Sequence, residues 1–326
     1  MARRTSVFMV ALPATILLGL SALLAVPNAE AGGCGANGTD CANSQKDARG
    51  CCKSPPPPAP KAKPSVTPSS KPSAPPPPPA QTAWPAPTSC PGGMAGIPGA
   101  KYTLGEAKTD AVVLGYCLDS NEVTVSAFKK CVDAKECTEP DPYVKKWGGS
   151  EQFCNWKHPE GRGNHPVNCV DSGQADDFCA WRGARLPTEE EWEWAARSGD
   201  KASTYPWGDV GPTELRANAC GAECPPNGEA KGLKGWRTLY DGEDGYSETA
   251  PVGSFPKGDN RWGVHDLAGN VWEWTASKLD PKKPERVNRG GGWDDGSAAA
   301  LSAARRRAFS PTDRLYNLGF RCAKTP

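Results

Sequence analysis

The side chains of this 326-residue chain that are equipped for chemistry fall into three groups. Asp294 and Asp295 stand together after Trp293, and an Arg305-Arg306-Arg307 run follows them. Adjacent carboxylates can form an acid/base dyad or hold a metal, but neighbours on an extended chain point to opposite faces, which works against a shared proton. Hydrogen bonding within the loop and ion pairing with the arginines is the simpler reading. His158, His165 and His265 are the second group; three histidines scattered so widely exclude histidine-rich metal cages and most multi-histidine proton relays. The third is an even set of 14 cysteines, which reads as an oxidised disulfide framework. Sequence proximity favours Cys90 with Cys117, Cys131 with Cys137, Cys154 with Cys169, and Cys220 with Cys224. No Cys-x-x-Cys pair occurs from Cys90 onward, which disfavours zinc.

These groups need elements to position them, and the chain supplies them unevenly. Arg3 and Arg4 precede an apolar run from Val7 to Val26 that ends at Ala29-Glu30-Ala31, so residues 1–31 read as a secretory signal cleaved after Ala31. An uncleaved membrane anchor and a lipid on Cys34 are the competing readings, although Ala31-Gly32-Gly33 lacks the leucine usual before a lipidated cysteine. Residues 32–54 carry Cys34, Cys41, Cys51 and Cys52 with little apolar surface to bury, as a small stapled knob or a disordered segment. Residues 55–88 are a proline-rich linker whose polyproline II geometry, at about 3.1 Å per residue, could reach roughly 100 Å. The remaining span, 89–326, is read as one domain.

Within it, Thr124 caps a helix with Val125, Phe128 and Val132 on one face. Asp171 to Arg182 gives a second helix, stopped by Gly183. Thr188 and Glu191 form a capping box that opens a third, through Trp192 and Ala196 to Gly199. Short strands and glycine-rich loops fill the rest, an α+β class with little regular structure. Lysine plus arginine number 38 against 37 acids, so no global field draws the chain to nucleic acid or an anionic membrane.

Four stretches in order carry a family resemblance: Ala180 to Trp194 (AWRGARLPTEEEWEW), Gly242-Glu243-Asp244-Gly245-Tyr246 with Thr249 to Val252, Gly269 to Trp274 (GNVWEW), and Arg289 to Trp293 (RGGGW) with Asn317 to Arg321 (NLGFR). Together they resemble the sulfatase-modifying-factor family, that of the formylglycine-generating enzyme. The resemblance implies a C-type-lectin-like fold with long loops, a disulfide between Cys179 and Cys322, and bound calcium. Asn218, the Ala219 carbonyl, Asp244 and the Tyr246 carbonyl match the family's first calcium site; Asp266, the Gly269 and Val271 carbonyls and Glu273 match its second. Turn capping is the alternative role for Asp244 and Glu273.

The formylglycine-generating enzyme holds copper(I) on two cysteines just after this glycine-rich segment and oxidises a cysteine in a sulfatase peptide. Their places fall here on Asp295 and Ala300. A carboxylate and a methyl group cannot replace two thiolates, so copper is disfavoured. Three functions follow as expectations: an exported, non-catalytic binding or scaffold module with a vestigial or divergent cleft at Trp293, Asp294, Asp295 and Ala300; a formylglycine-generating oxidoreductase; or a divergent metal-dependent enzyme on the same fold. The partner expected for the first is a protein, peptide or cell-envelope ligand, with no nucleic acid and no membrane span once the signal is removed.

Overall fold

The computed structural model describes residues 84–140 and 150–326. The expected signal, the cysteine-bearing segment and nearly all of the proline-rich stretch lie outside the described residues. Trp84 exchanges backbone hydrogen bonds with Gly99 (3.3 and 2.9 Å).

Strands β1 (Met94–Ile97), β4 (Tyr116–Asp119) and β9 (Ala323–Lys324) form an antiparallel sheet with β4 in the middle. A hairpin, β2 (Ala100–Thr103) with β3 (Asp110–Val113), stands beside it. The larger sheet runs β7 (Arg306–Phe309), β6 (Arg286–Arg289), β5 (Trp272–Lys278), β8 (Leu318–Gly319). Its pairs are antiparallel except β5 with β8, which is parallel. That sheet positions the site, because both the glycine-rich segment and the arginine run leave from its strands.

Local chemistry explains where the helices start. Helix α1 (Val125–Asp133) begins where the Thr124 hydroxyl accepts from Ala127 N at 3.1 Å, and it buries Val125, Phe128 and Cys131. The kinked α2 (Pro159–Arg162) contributes no buried side chain. Asp171 caps α3 (Ser172–Trp181) in a reciprocal box with Gln174. Thr188 and Glu191 cap α4 (Glu189–Ala196), with Thr188 N to Glu191 at 2.9 Å and Glu191 N to Thr188 at 3.2 Å. Helix α4 ends before Gly199: Arg197 N closes the last turn on Glu193, and Ser198 turns left-handed at φ +52°. Helix α5 (Cys224–Ala230) comes from a segment whose Pro225-Pro226 reads as a breaker. In a first turn a missing N–H costs nothing, because those amides have no partner inside the helix.

The core has two main parts. Phe128, Phe178 and Phe320 pack mutually with centroids 5.5 to 6.2 Å apart, alongside Trp272 and Trp274. Trp192 and Trp194 of α4 pack with Ile97, Tyr116, Leu118 and Leu267. Charge is buried with them. Arg289 of β6 lies between Glu189 and Glu193 of α4, 2.9 Å from each, and Arg321 grips Glu273 at 2.7 Å.

Among the described residues, five disulfides join Cys90 to Cys117, Cys131 to Cys137, Cys154 to Cys169, Cys179 to Cys322 and Cys220 to Cys224. The Cys179–Cys322 bridge spans 143 residues and ties α3 to the C-terminal end. Beside it, Asp119 accepts from Arg182 (2.8 and 3.0 Å) and from Cys322 N (2.9 Å). This density of bridges is consistent with an oxidising compartment. Among the described residues, no helix is long and apolar enough to cross a membrane.

Candidate functional site

After β6, Gly290 (φ +106°) and Gly291 (φ +82°) turn the chain into Trp293, Asp294 and Asp295. Glycine is required at Gly291, where a Cβ would lie 3.1 Å from Leu301 and 3.2 Å from the Ala300 carbonyl in a left-handed conformation. Trp293 is buried at the centre of an aromatic cluster, with Phe153, Trp236 and Tyr316 at centroid distances of 5.4, 5.1 and 5.6 Å.

The two aspartates part company there. Asp294 accepts from the Tyr316 hydroxyl (2.7 Å) and Asn317 Nδ2 (2.9 Å). Burial and then the charge of Asp295 push its carboxyl up to about 6. Asp295 accepts from the Trp272 indole (2.7 Å), Gly292 N (2.9 Å) and Arg307 (3.4 Å). With separate partners, the pair does not form an acid/base dyad.

Asp295 and Ala300 meet on the wall of an open cleft of about 680 Å³, lined also by Thr204, Tyr205, Ser297, Ser302, Arg305 and Arg307. The arginines divide: Arg305 pairs with Glu106 (3.1 Å), Arg306 with Glu189 (2.6 Å), and Arg307 lies over Trp272 at 4.5 Å as it reaches Asp295. The histidines do not converge on it. His165 contacts Thr249 (3.0 Å), His265 pairs with Asp259 (2.7 Å), and His158 is exposed at the end of a short 3-10 turn.

Copper(I) does not fit this cleft. It favours soft, low-coordinate thiolate ligands. Here one position holds a carboxylate already engaged by three donors, the other a methyl group, and every cysteine among the described residues is in a disulfide.

The oxygen-rich turns behave differently from each other. Among the described residues, no three His, Cys, Asp or Glu side chains converge as a metal site by themselves, so a cation there must draw on amide and carbonyl oxygens. At the first, Asp244 Oδ2 accepts from Ala219 N (3.2 Å) and Oδ1 from Tyr246 N (2.9 Å), which brings the Asn218-Ala219 and Asp244–Tyr246 segments together. Burial pushes the Asp244 carboxyl up to about 7. Asn218 is 1% exposed, and its Oδ1 has no hydrogen-bond partner. An unmatched buried oxygen on the residue before Ala219, together with a carboxylate that burial disfavours as an anion, suits a hard cation.

At the second set, Glu273 is already held by Arg321 (2.7 to 2.9 Å) and by the Trp192 indole (2.7 Å), while Asp266 accepts from Gly253 N (2.6 Å). Arg321 therefore supplies the positive charge that a metal would otherwise bring to Glu273. Gly269 (φ +87°) is fixed by close approach, since a Cβ would lie 2.3 Å from the Asn218 carbonyl. Val271 N donates to Glu122, which is buried. Burial, then Asp266 and Glu273, push the Glu122 carboxyl well above its ordinary range. Its partners lie about 150 residues away, so no local spacing signals it.

Residues 76–326 match the sulfatase-modifying factor enzyme 1-like domain, and the chain belongs to that family. It is 41% identical over 182 residues to the mouse protein named inactive C-alpha-formylglycine-generating enzyme 2, covering 52% of this chain and 54% of that one. It is 31% identical over 292 residues to mouse formylglycine-generating enzyme, covering 71% of this chain and 74% of that one. The chain thus spans about half the length of the first of these relatives. The solved structure of PvdO from Pseudomonas aeruginosa shares the fold, with a TM-score of 0.52 and 22% identity over 72% of this chain and 94% of that one.

Proposed function

We propose that this chain is a non-catalytic member of the family, an exported binding or scaffold module whose cleft receives a protein, peptide or cell-envelope ligand. The observation that supports it most is Asp295, whose carboxylate is tied to Trp272, Gly292 and Arg307 where the active relatives are expected to carry a copper-binding thiolate. A side chain held by that many donors serves the wall of the cleft and is poorly placed to ligate a soft metal. Calcium, in this reading, is a structural ion at Asn218, Ala219, Asp244 and Tyr246; the Asp266, Gly269, Val271 and Glu273 set competes with Arg321 for the same carboxylate.

The alternative is formylglycine generation, favoured by the 31% identity to the mouse enzyme over 71% of this chain. One assay separates the two. The purified protein is incubated with a sulfatase-type cysteine peptide, oxygen, copper and reductant, and the peptide is weighed by mass spectrometry. An unchanged mass, beside a formylglycine-generating enzyme that converts the same peptide, is the expected result. A mass loss matching conversion of thiol to aldehyde, absent in a boiled control, would overturn the non-catalytic reading.

A further inference from the structure

The turn between Cys220 and Cys224 carries a carboxylate that neither the core nor the cleft uses. Its disulfide closes the turn, and backbone bonds from Leu239 N to Cys220 O (2.7 Å) and Ala222 N to Gly242 O (3.0 Å) lay it against the segment leading to Asp244. Glu223 precedes α5 without capping it through its side chain. Instead its Oε1 accepts from Asp244 N at 3.0 Å, and its Oε2 is buried with no partner. The space beside that oxygen is kept by Gly221, where a Cβ would come within 2.8 Å of Oε2 and 2.9 Å of the Gly242 carbonyl.

The surroundings are rich in oxygen and poor in positive charge. The Tyr240 hydroxyl is 2.5 Å from Asp244 Oδ2, 3.0 Å from Ala217 O and 3.4 Å from Ala219 O, one proton for three acceptors. The 1%-exposed Asn218 spends its Nδ2 on Glu248 O and Asn270 Oδ1 (3.0 Å each), and its Oδ1 stays bare. Among the described residues no lysine or arginine pairs with Glu223 or Asp244; Lys231, at the far end of α5, is paired with Glu248. Two half-buried carboxylates, a bare buried amide oxygen and crowded carbonyls without a cation would be unfavourable. A hard divalent ion balances both charges and supplies the missing partner.

We propose that Glu223 is a direct ligand of the calcium ion held by Asn218, Asp244 and the Ala219 carbonyl, giving that site two carboxylates. This rests on the calcium reading above and adds a ligand that the resemblance does not supply. Calcium affinity follows the number of charged ligands, so the second carboxylate should set how tightly this site binds.

The test counts calcium per chain by equilibrium dialysis with elemental analysis, and follows melting of the purified chain with and without calcium. Glu223→Gln is expected to weaken one site on the order of tenfold. The apo variant should melt above the apo wild type, because carboxylate repulsion is relieved, and the calcium-saturated variant below the saturated wild type. A purely structural role would lower both. If the Gln variant fails to fold, Glu223→Asp keeps the charge and shortens the reach, so it should leave apo melting unchanged and weaken calcium. Wild type that binds no calcium would overturn the calcium reading itself. Calcium lost by Asp244→Asn but retained at full affinity by the Glu223 variants would overturn this inference alone.

Discussion

The indole nitrogen of Trp272 donates a 2.7 Å hydrogen bond to Asp295. Gly292 N reaches the same oxygen at 2.9 Å, while Arg307, stacked 4.5 Å above the Trp272 ring, takes the other oxygen at 3.4 Å. One carboxylate therefore links β5, the glycine-rich turn and β7 at the cleft wall. Asp295→Ala should strand the buried Trp272 and Gly292 donors and cost about 1–3 kcal/mol. Asp295→Asn keeps an acceptor and should cost less. Urea denaturation would measure both; equal stability of the Ala variant would mean that these bonds contribute nothing.

The same geometry bears on copper binding. Asp295 and Ala300 line one cleft, so thiols placed at both positions would face a shared space. The reduced Asp295→Cys, Ala300→Cys double variant is expected to bind copper(I) in competition with a chromogenic chelator, whereas the wild type is not. No gain of copper by a folded double variant would show that the cleft has diverged in shape as well as in its ligands.

Arg289 offers a sharper stability test, because it is fully buried between Glu189 and Glu193. Arg289→Met leaves two carboxylates of α4 close together, with Arg306 as the remaining cation on Glu189 and Arg197 on Glu193, and should cost about 3–5 kcal/mol. The triple change to Met, Gln and Gln should recover much of that loss. A variant as stable as wild type would show that water or rearrangement already satisfies these acids.

What the sequence discloses follows the range of each interaction. The capping pairs Thr188 with Glu191 and Asp171 with Gln174 lie three residues apart, so each announces its helix locally. Glu189 looks like part of that same acidic first turn and Glu193 like an exposed acid one turn on, but their partner Arg289 is about 100 residues away. Asp294 likewise finds Tyr316 and Asn317 only after the chain has passed through β7 and returned. Helix α5 was hidden by its two prolines, and Glu223 by standing outside the oxygen positions that the family resemblance supplies. The cleft's location was legible through the RGGGW segment; the direction of each carboxylate needed the packed sheet.

The Cys179–Cys322 bridge closes a loop of 143 residues. Cys322→Ser should destabilise the domain by about 2–5 kcal/mol, mainly by freeing the unfolded chain. Non-reducing peptide mapping should recover the two residues as one cross-linked fragment, and recovery of either as a free thiol would contradict the pairing.

The pH dependence of stability should carry the signature of His165. Burial and then the nearby Arg162 charge lower its ring from an ordinary 6.5 to about 4, with Nδ1 held against Thr249 at 3.0 Å. Between about pH 4 and 6.5 the unfolded chain therefore binds a proton that the folded chain refuses. Stability from this group is fully present above 6.5 and is lost as the pH falls toward 4. Asp294 acts in the opposite sense: its carboxyl is raised to about 6, so its share declines as the pH rises from its ordinary value of 3.8. The wild-type profile alone mixes these with Asp244 and Glu122, whose carboxyls burial also raises. Comparison with His165→Asn isolates the histidine, since Asp294 is common to both proteins and the amide can still face Thr249. Denaturation midpoints collected from pH 4 to 7 should converge at the acid end and separate toward neutrality, with the wild type gaining more as the pH rises. A constant difference across that range would mean that the ring takes up its proton at the same pH in the folded and the unfolded chain.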